Sequence, residues 1–394
     1  MRILTAGESH GQYLAAIIEG FPKGVRIEKD FINRELARRM SGLGRGKRML
    51  IESDKIEITS GMRNKITLGS PITILVKNKD VKIFAQSKDD LPELLVPRPA
   101  HADLSGALKY QEQDLRNILE RASARETVAR VCAGAICKQF LLNFDLDIAS
   151  FTVSVGAIFS KLKPKSISEI TAKTKNSQLN CIDKTAESSM IREIEKAEKE
   201  GDSLGGVVEV WLEGVIPGLG SFMHFDRRLD ARLANYLMSI PAVKGVEVGL
   251  GFEYAQKMGS LSHDAIYYSK KDGLLAGPLR PQSEASRHGF YRKTNNSGGI
   301  EGGISTGEPI VLRLAMKPIA TLKKPLNSVN LTTKKVEKAM VERSDTCAIV
   351  ALAVIAENMS AIAITEAVLD KFGYDSLKEI KTHYQNYRKN LDNF

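Results

Sequence analysis

Five residues near the N-terminus place an imidazole beside an acid and a hydroxyl between two glycines: Gly7-Glu8-Ser9-His10-Gly11. Imidazole is the side chain that most readily gives or takes a proton near neutral pH. The glycines permit a tight turn and close approach of the backbone to a ligand. A short apolar run over residues 3–6 predicts a strand that would present this turn. A plain hairpin turn with a solvated histidine fits the five residues equally well.

Further polar clusters follow along the chain, and most combine arginine, histidine or serine with glycine or alanine. These clusters span residues 42–48, 98–103, 120–127, 295–307 with 317–321, and 343–345. Backbone amides and guanidinium groups in such loops suit phosphate and carboxylate groups. The G-x-x-x-x-G-K-S/T spacing of a Walker loop is absent. A single site drawing on all the clusters would be strongly cationic, contain two histidines and suit a multiply charged anion that needs a proton.

The composition indicates a globular protein with an anionic partner. The 394 residues are 43% apolar and 26% charged, with a net charge of +10. A nucleic-acid-binding protein would be expected to interleave its basic residues with aromatic ones. Only 6% of the residues are aromatic, and many lysines lie in solvated stretches such as 161–175 and 378–389. The pattern favours a small anionic substrate over nucleic acid, although a solvated basic surface explains the lysine runs as well.

The cysteines and the apolar runs indicate the compartment. Four cysteines show no metal-like spacing and are expected to be reduced, buried or incidental thiols, with no metal site. No signal peptide is recognised. We expect no apolar run to approach the ~20 residues that span a bilayer. The prediction is a cytoplasmic protein without a membrane partner.

The apolar periodicity predicts the elements that position the clusters. A strand over residues 13–18 is expected to pair with residues 25–27, and Asp30 to begin a helix that ends at Met40. The longest helix is predicted over 118–140, with Glu120–Thr127 near its N-terminus, where free amides can hold an anion. Further helices are predicted over 333–341 and 346–371.

An internal similarity suggests two related halves. Thr67–Ile74 resembles Ser305–Leu312, and residues 203–210 form a weaker third copy. Each is a glycine turn that opens an alternating strand. The hypothesis is a pair of antiparallel units related by pseudo-symmetry. Strands in unrelated sheet positions would contradict it, and chance similarity between such turns is an equal alternative.

Taken together, the motifs resemble those of the chorismate synthase family, from Gly7 to about Leu369. Three signatures occur in order: Gly7–Gly11, Glu120–Thr127 and Arg343–Asp345. Arg98–Asp103 and Ile300–Ser305 lie between them. The resemblance implies an α+β fold, a single-domain β-α-β sandwich with antiparallel sheets over residues 1–372. It leaves a charged C-terminal tail over residues 373–394 and implies a homotetramer.

The resemblance also implies the reaction. The family converts 5-enolpyruvylshikimate 3-phosphate to chorismate and phosphate by a 1,4-anti elimination, in the shikimate pathway of aromatic amino acid biosynthesis. The family needs reduced FMN without net redox change. Some members reduce their FMN with NADPH, and others depend on an external flavin reductase. The sequence leaves these two modes open.

Roles carry over by motif. His10 would protonate the leaving phosphate, His101 would stabilise or protonate the anionic reduced flavin, and Asp345 would assist proton removal. Arg48, Arg98 and Arg125 would hold the phosphate and carboxylates of the substrate, with Arg39 and Arg45 nearby. The cofactor set implied by the resemblance comprises Arg39, Arg45, Arg121, Ala122, Ser123, Ala242, Gly302, Lys317, Pro318, Ile319, Ala320, Thr321 and Arg343. Two departures are Ala122, where many members have serine, and His263, which is either a substitute contact or a surface residue.

Overall fold

Alternating apolar residues build two antiparallel sheets in a computed structural model, which describes residues 1–45, 54–81, 92–268, 289–342 and 344–394. The first sheet has the order β1–β2–β6–β3. Its strands are β1 Arg2–Ala6, β2 Tyr13–Glu19, β3 Ile56–Ser60 and β6 Ile72–Lys77. The alternating sequence of β2 explains why it forms a strand. Leu14, Ala16 and Ile18 are buried, while the residues between them face outward.

The second sheet has the order β10–β15–β9–β7–β8 and is also antiparallel. Its strands are β7 Asp147–Val155, β8 Ile158–Phe159, β9 Gly206–Glu213, β10 Val243–Val248 and β15 Ile310–Met316. Short two-stranded ladders complete the strands: β4 Met62–Arg63 with β5 Ile66–Thr67, β11 Ile266–Tyr268 with β12 Phe290–Arg292, β13 Ile300–Glu301 with β14 Ile304–Ser305, and β16 Asn327–Val329 with β17 Val336–Lys338.

Two long helices lie between the two sheets. The described α-helices are α1 Lys29–Met40, α2 Asp103–Tyr110, α3 Arg116–Ala122, α4 Thr127–Leu141, α5 Ile167–Thr174, α6 Lys184–Glu200, α7 Leu229–Met238, α8 Gly259–Ser262, α9 Ile349–Phe372 and α10 Leu377–Asp392. α4 packs on the first sheet, α9 packs on the second, and the two helices pack on each other. Gly134 makes this possible, because a Cβ there would lie 2.4 Å from the Asn358 Cβ. The predicted α+β sandwich is confirmed.

The two halves repeat one topology. β1–β2–β6–β3 corresponds to β7–β9–β15–β10, and in each half a helix precedes the edge strand while a long helix follows the inner strand. The turns agree in detail: Thr67 Oγ1 donates to the Pro22 carbonyl at 2.6 Å, and Ser305 Oγ donates to the Ile216 carbonyl at 2.7 Å. The strands after both turns occupy equivalent sheet positions. The pseudo-symmetry hypothesis is therefore confirmed.

Three predicted elements are wrong. Residues 25–27 do not pair with β2, whose partners are β1 and β6. The helix predicted over 118–140 is interrupted at Ser123, whose extended backbone separates α3 from a short 3₁₀ turn and α4. Residues 333–341 contribute the hairpin strand β17 instead of a helix. In each case long-range packing overrides the local apolar pattern.

α9 corrects a further expectation, since it is long and apolar enough to span a membrane, with a mean hydropathy of 1.6. In this fold 94% of the apolar stretch is buried inside the protein, as in the core helix of a two-sheet sandwich. The charged segment after residue 372 forms α10, which Ser376 caps by accepting from the Glu379 amide. Ile380 and Tyr384 of α10 are buried in the core.

Candidate active site

A cavity of about 770 Å³ opens where the two halves meet, and most of the predicted site residues line it. The charged residues among its lining are Arg39, Arg45, Arg98, Arg116, Arg125, Lys244, Lys317, Glu120, Glu342 and Asp345, together with His10 and His101. Seven cations thus face three carboxylates. The described lining therefore carries an excess of four positive charges before histidine protonation, which suits a multiply charged anion.

The Gly7–Gly11 turn connects β1 with β2 and brings His10 to the cavity. Gly7 has a φ of +103°, and a Cβ there would lie 2.2 Å from the Tyr13 carbonyl oxygen. Only glycine fits this turn. Asn78 Nδ2 closes the turn by donating to the Gly11 carbonyl at 2.8 Å. The strand and turn predicted from sequence are confirmed.

The imidazole of His10 lies between two carboxylates. Its Nδ1 is 2.8 Å from Glu120 Oε1, and its backbone amide donates to Glu120 Oε2 at 2.8 Å. Because a carboxylate only accepts, Nδ1 carries the hydrogen in this pair. Nε2 lies 3.7 Å from Asp80 Oδ2 and is the ring atom left to exchange protons with a ligand.

Arg121 holds the same turn from the neighbouring position on α3. Its guanidinium donates to the carbonyls of Gly7 at 2.9 Å and Thr5 at 2.8 Å. Arg121 is outside the residues that line the cavity. The structure thus gives Arg121 a contact with β1 and the turn, and its predicted contact with a cofactor stays a prediction.

His101 belongs to a second histidine–carboxylate pair. Its Nδ1 lies 2.5 Å from Asp103 Oδ1, and Arg98 Nε donates to Asp103 Oδ2 at 2.8 Å. Burial by itself raises the pKa of Asp103, but hydrogen bonds from His101 and Arg98 outweigh it and hold the pKa well below its usual range. Arg98 also donates to Thr321 Oγ1 at 3.0 Å. Arg98 therefore serves to orient His101, beside its predicted role toward the substrate.

Asp345 lies at the start of the segment that leads into α9. Arg45 Nη1 donates to Asp345 Oδ2 at 2.6 Å, and the Gly44 carbonyl accepts from the Thr346 amide at 2.8 Å. Two predicted residues from sequence positions 300 apart thus meet at the cavity wall. Arg48 and Arg343, which the resemblance places in the same site, lie outside the described residues.

Arg39 and Arg125 are the two most buried arginines of the cavity. Arg125 forms a bidentate ion pair with Asp54 at 2.6 and 2.7 Å and also donates to Asn78. Arg39 donates to Thr127 Oγ1 at 3.0 Å, whereas its buried Nη1 has no hydrogen-bond partner among the residues that the structure describes. Burial lowers the pKa of Arg39 to about 9, and repulsion from Arg45 and Arg125 adds to the effect.

Other residues that line the cavity are lysines and small apolar side chains. Lys317 to Thr321 all line the cavity, and Lys317 Nζ donates to the Ala100 carbonyl. Burial lowers the pKa of Lys317, and the nearby Lys244 lowers it further. Ala242 lines the wall with a left-handed φ of 72°. The remaining small or apolar lining residues include Ala122, Ala124, Ala320, Ala348, Ala351, Leu119 and Ile355.

Some predicted residues lie elsewhere, and some lining residues were missed. Gly302 lies in the β13–β14 hairpin, outside the cavity lining, and His263 is exposed. Sequence reasoning assigned no role to Glu120, Asp103, Arg116, Lys244 or Glu342. Glu120 and Asp103 lie inside recognised motifs. A carboxylate in the same set of motifs as a candidate histidine could therefore have been predicted as its hydrogen-bond partner. Lys244 and Glu342 had no such signal.

Metal ligation is not indicated in the described part of the chain, where no three histidine, cysteine, aspartate or glutamate side chains are placed to hold an ion. All four cysteines are buried and none forms a disulfide. Burial raises the pKa of each thiol, so the thiolate form is disfavoured. The prediction of buried, reduced thiols is confirmed.

Comparison with known proteins extends the agreement to the whole chain. The family model of chorismate synthase matches residues 1–369. The chain is 51% identical over 394 residues to the chorismate synthase of Pelobacter propionicus, with 98% of each chain covered. Identity is 49% to the chorismate synthase of Geobacter metallireducens and 46% to chorismate synthase 2 of Bacillus cereus, with 100% of each chain covered.

Comparison with a solved structure shows the same similarity in three dimensions. A crystal structure of chorismate synthase is similar with a TM-score of 0.79 at 39% sequence identity. The similarity covers 100% of this chain and 98% of that one. Both the identity and the coverage exceed what a shared fold alone would produce. The chain therefore belongs to the chorismate synthase family.

Proposed function

We propose that this protein converts 5-enolpyruvylshikimate 3-phosphate to chorismate and phosphate by a 1,4-anti elimination. The observation that carries the proposal is the cavity itself, in which the described lining has seven cations and two histidines against three carboxylates. A substrate with a phosphate and two carboxylates matches that excess of positive charge. The family membership supports the same reaction.

The cavity also fits a flavin, which we propose is reduced FMN. The alanine and leucine side chains of the lining suit a flat ring, and a volume of about 770 Å³ falls within the range of small-molecule sites. The unpartnered Nη1 of Arg39 and the pair Lys244 and Lys317 suit anionic groups of either ligand. When bound, reduced FMN would supply electron density to the allylic system from which phosphate departs.

The residues of the chain then bind, orient and move protons. His10 Nε2 would donate a proton to the departing phosphate, while Glu120 accepts from Nδ1. His101 would present its Nε2 to the cofactor, because Asp103 holds Nδ1 at 2.5 Å. Asp345 would assist removal of the ring proton, with Arg45 beside it. Guanidinium groups suit the substrate's phosphate and carboxylates through paired hydrogen bonds.

The deciding experiment is anaerobic turnover of 5-enolpyruvylshikimate 3-phosphate with chemically reduced FMN. Chorismate and phosphate should appear in equal amounts, and the absence of both would refute the proposal. The His10→Ala and His101→Ala variants should each lower kcat by ~10²–10⁴-fold, the range for general acid–base groups. Full activity in either variant would remove that histidine from the mechanism.

The source of reducing equivalents and the assembly are open to direct tests. Turnover with NADPH and oxidised FMN in place of the reductant would indicate that the protein reduces its own flavin. No turnover under those conditions, with activity under chemical reduction, would indicate an external flavin reductase. We further propose a cytoplasmic homotetramer, and sedimentation velocity of the purified protein tests that assembly.

A further inference from the structure

Among the described carboxylates that line the cavity, Glu120 is the one that is both buried and hydrogen-bonded to a proposed proton donor. Its side chain is 3% exposed, against 19% for His10. Both carboxylate oxygens accept from His10, one from Nδ1 and one from the backbone amide, each at 2.8 Å. The Glu120 carbonyl accepts from the Ser9 amide at 2.9 Å. Three hydrogen bonds therefore dock the turn on this residue.

We propose that Glu120 is the positioning residue for His10. By accepting from Nδ1, the carboxylate holds the hydrogen on that nitrogen and leaves Nε2 toward the cavity. The same carboxylate stabilises the charge on a doubly protonated ring, which is the form that can give a proton to phosphate. Asp80 and Glu120 are the charged groups that the described residues place against the ring.

The difference from the other pair supports this assignment. Asp103 divides its oxygens between His101 and Arg98, so its negative charge is already matched by a guanidinium. The carboxylate of Glu120 receives hydrogen bonds from His10 alone in the described part of the chain. A buried carboxylate with this one partner depends on the ring for its stabilisation and restricts the ring orientation in return.

Arg121 provides a matched control, because it holds the same turn without contacting the imidazole. Its hydrogen bonds go to Gly7 and Thr5. An Arg121→Gln substitution should loosen the turn but leave the ring nitrogen that carries hydrogen unchanged. A Glu120→Gln substitution should keep the side-chain size but remove the charge and one acceptor. Comparing the two variants therefore distinguishes the effect of loosening the turn from the effect of removing the carboxylate that orients the imidazole.

The test is ¹⁵N NMR of protein labelled at histidine, measured without substrate at alkaline pH, with His10→Gln assigning the signal. The wild type and Arg121→Gln should show His10 with hydrogen on Nδ1, whereas Glu120→Gln should populate the Nε2–H form. An unchanged His10 signal in Glu120→Gln would overturn the proposal. Should that variant fail to fold, Glu120→Ala takes its place, because alanine also removes the carboxylate that accepts from Nδ1, and an unchanged His10 signal there would likewise overturn it.

Turnover then links the positioning to catalysis, and this step rests on the proposed function. Glu120→Gln should lower kcat by roughly 10²–10⁴-fold with a small change in KM, as expected when a general acid–base histidine loses its orienting carboxylate. Glu120→Asp should recover part of that loss. A rise in KM at constant kcat would overturn the assignment. If the wild type itself gives no turnover, the proposed function fails, while the NMR result still decides the role of Glu120.

Discussion

Two neighbouring arginines of α1 lie on different faces of the helix and have contrasting electrostatic surroundings. Arg38 donates to Glu357 through two nitrogens at 2.8 Å and to Glu35 at 2.6 Å. Arg39 lines the cavity, and among the described residues no carboxylate forms an ion pair with it and its Nη1 has no hydrogen-bond partner. One residue along the chain thus separates a satisfied charge from an unsatisfied one.

The surroundings of Arg38 form a closed network, which we call the ion quartet: Glu35, Arg38, Lys138 and Glu357. Lys138 Nζ donates to both carboxylates at 2.6 Å, and Ser150 Oγ donates to Glu357 at 2.6 Å. Two positive and two negative charges cancel. Carboxylates in front of Arg38 raise its pKa, chiefly through Glu357. Such a network joins α1, α4, α9 and the second sheet.

The fold uses one group of charged residues for stability and a different group for binding. In the ion quartet every charge has its counter-ion inside the protein, so the network carries no excess charge that would attract an ionic ligand. In the cavity the cations outnumber the carboxylates, and burial lowers the pKa of Arg39 to about 9. An unpaired buried charge costs stability. Binding of the proposed anionic substrate would offset that cost.

The largest expected effect comes from opening the ion quartet. Glu357→Leu leaves Arg38 and Lys138 with Glu35 as their one carboxylate and should lower the free energy of unfolding by about 3–5 kcal/mol. Urea denaturation measures this loss. Asp370→Ala is the matched control on the same helix, because its ion pair with Arg232 is solvent-exposed and worth at most ~1 kcal/mol. Equal losses in the two variants would contradict the distinction.

The adjacent arginines offer the sharpest test, with one substitution at both positions. Arg38→Met should lower the free energy of unfolding by about 2 kcal/mol, because it leaves Lys138 as the one cation of the ion quartet against two carboxylates. Arg39→Met should leave stability unchanged or higher, since Thr127 still donates to the Ala124 carbonyl that Arg39 also contacts.

The two variants should show the opposite order of effects on substrate binding, with the larger change in KM at Arg39. Arg39→Met should raise KM for the anionic substrate by about 10–100-fold, the value of a charge-assisted hydrogen bond. Arg38→Met should leave KM within a few-fold of wild type. Steady-state kinetics at reduced FMN saturation measures both, and a loss of stability in Arg39→Met without a change in KM would reverse the two roles.

The smallest expected effect is a pH dependence of stability. Burial alone would raise the pKa of Glu357, but Arg38 and Lys138 outweigh it and lower the pKa to about 2 from the ordinary 4.5. The contribution is therefore complete above about pH 4.5 and is lost as the pH falls toward 2. Between pH 5 and 3.5 the loss should be about 1 kcal/mol. Urea midpoints of wild type and Glu357→Gln should converge over this range, and parallel curves would contradict the assignment.

The sequence by itself determined the parts that depend on local chemistry. Period-two apolar patterns placed β2, β6, β9 and β15, because one face of each strand is buried. The glycine turn before β2 followed from its residues, since a side chain at Gly7 would collide with the backbone. The family motifs identified His10, His101 and Asp345, and the structure brings all three to one cavity.

Only the tertiary structure decided how those residues are held. Glu120 lies 110 positions from His10, and Glu357 lies 319 positions from Arg38, so no local pattern could pair them. The break at Ser123 lay within a run of good helix formers and became necessary when its neighbours packed around the cavity. Periodicity records which face of a segment is buried. Which charge meets which depends on the packing of distant segments, because Coulomb and hydrogen-bond energies are set by distances in space.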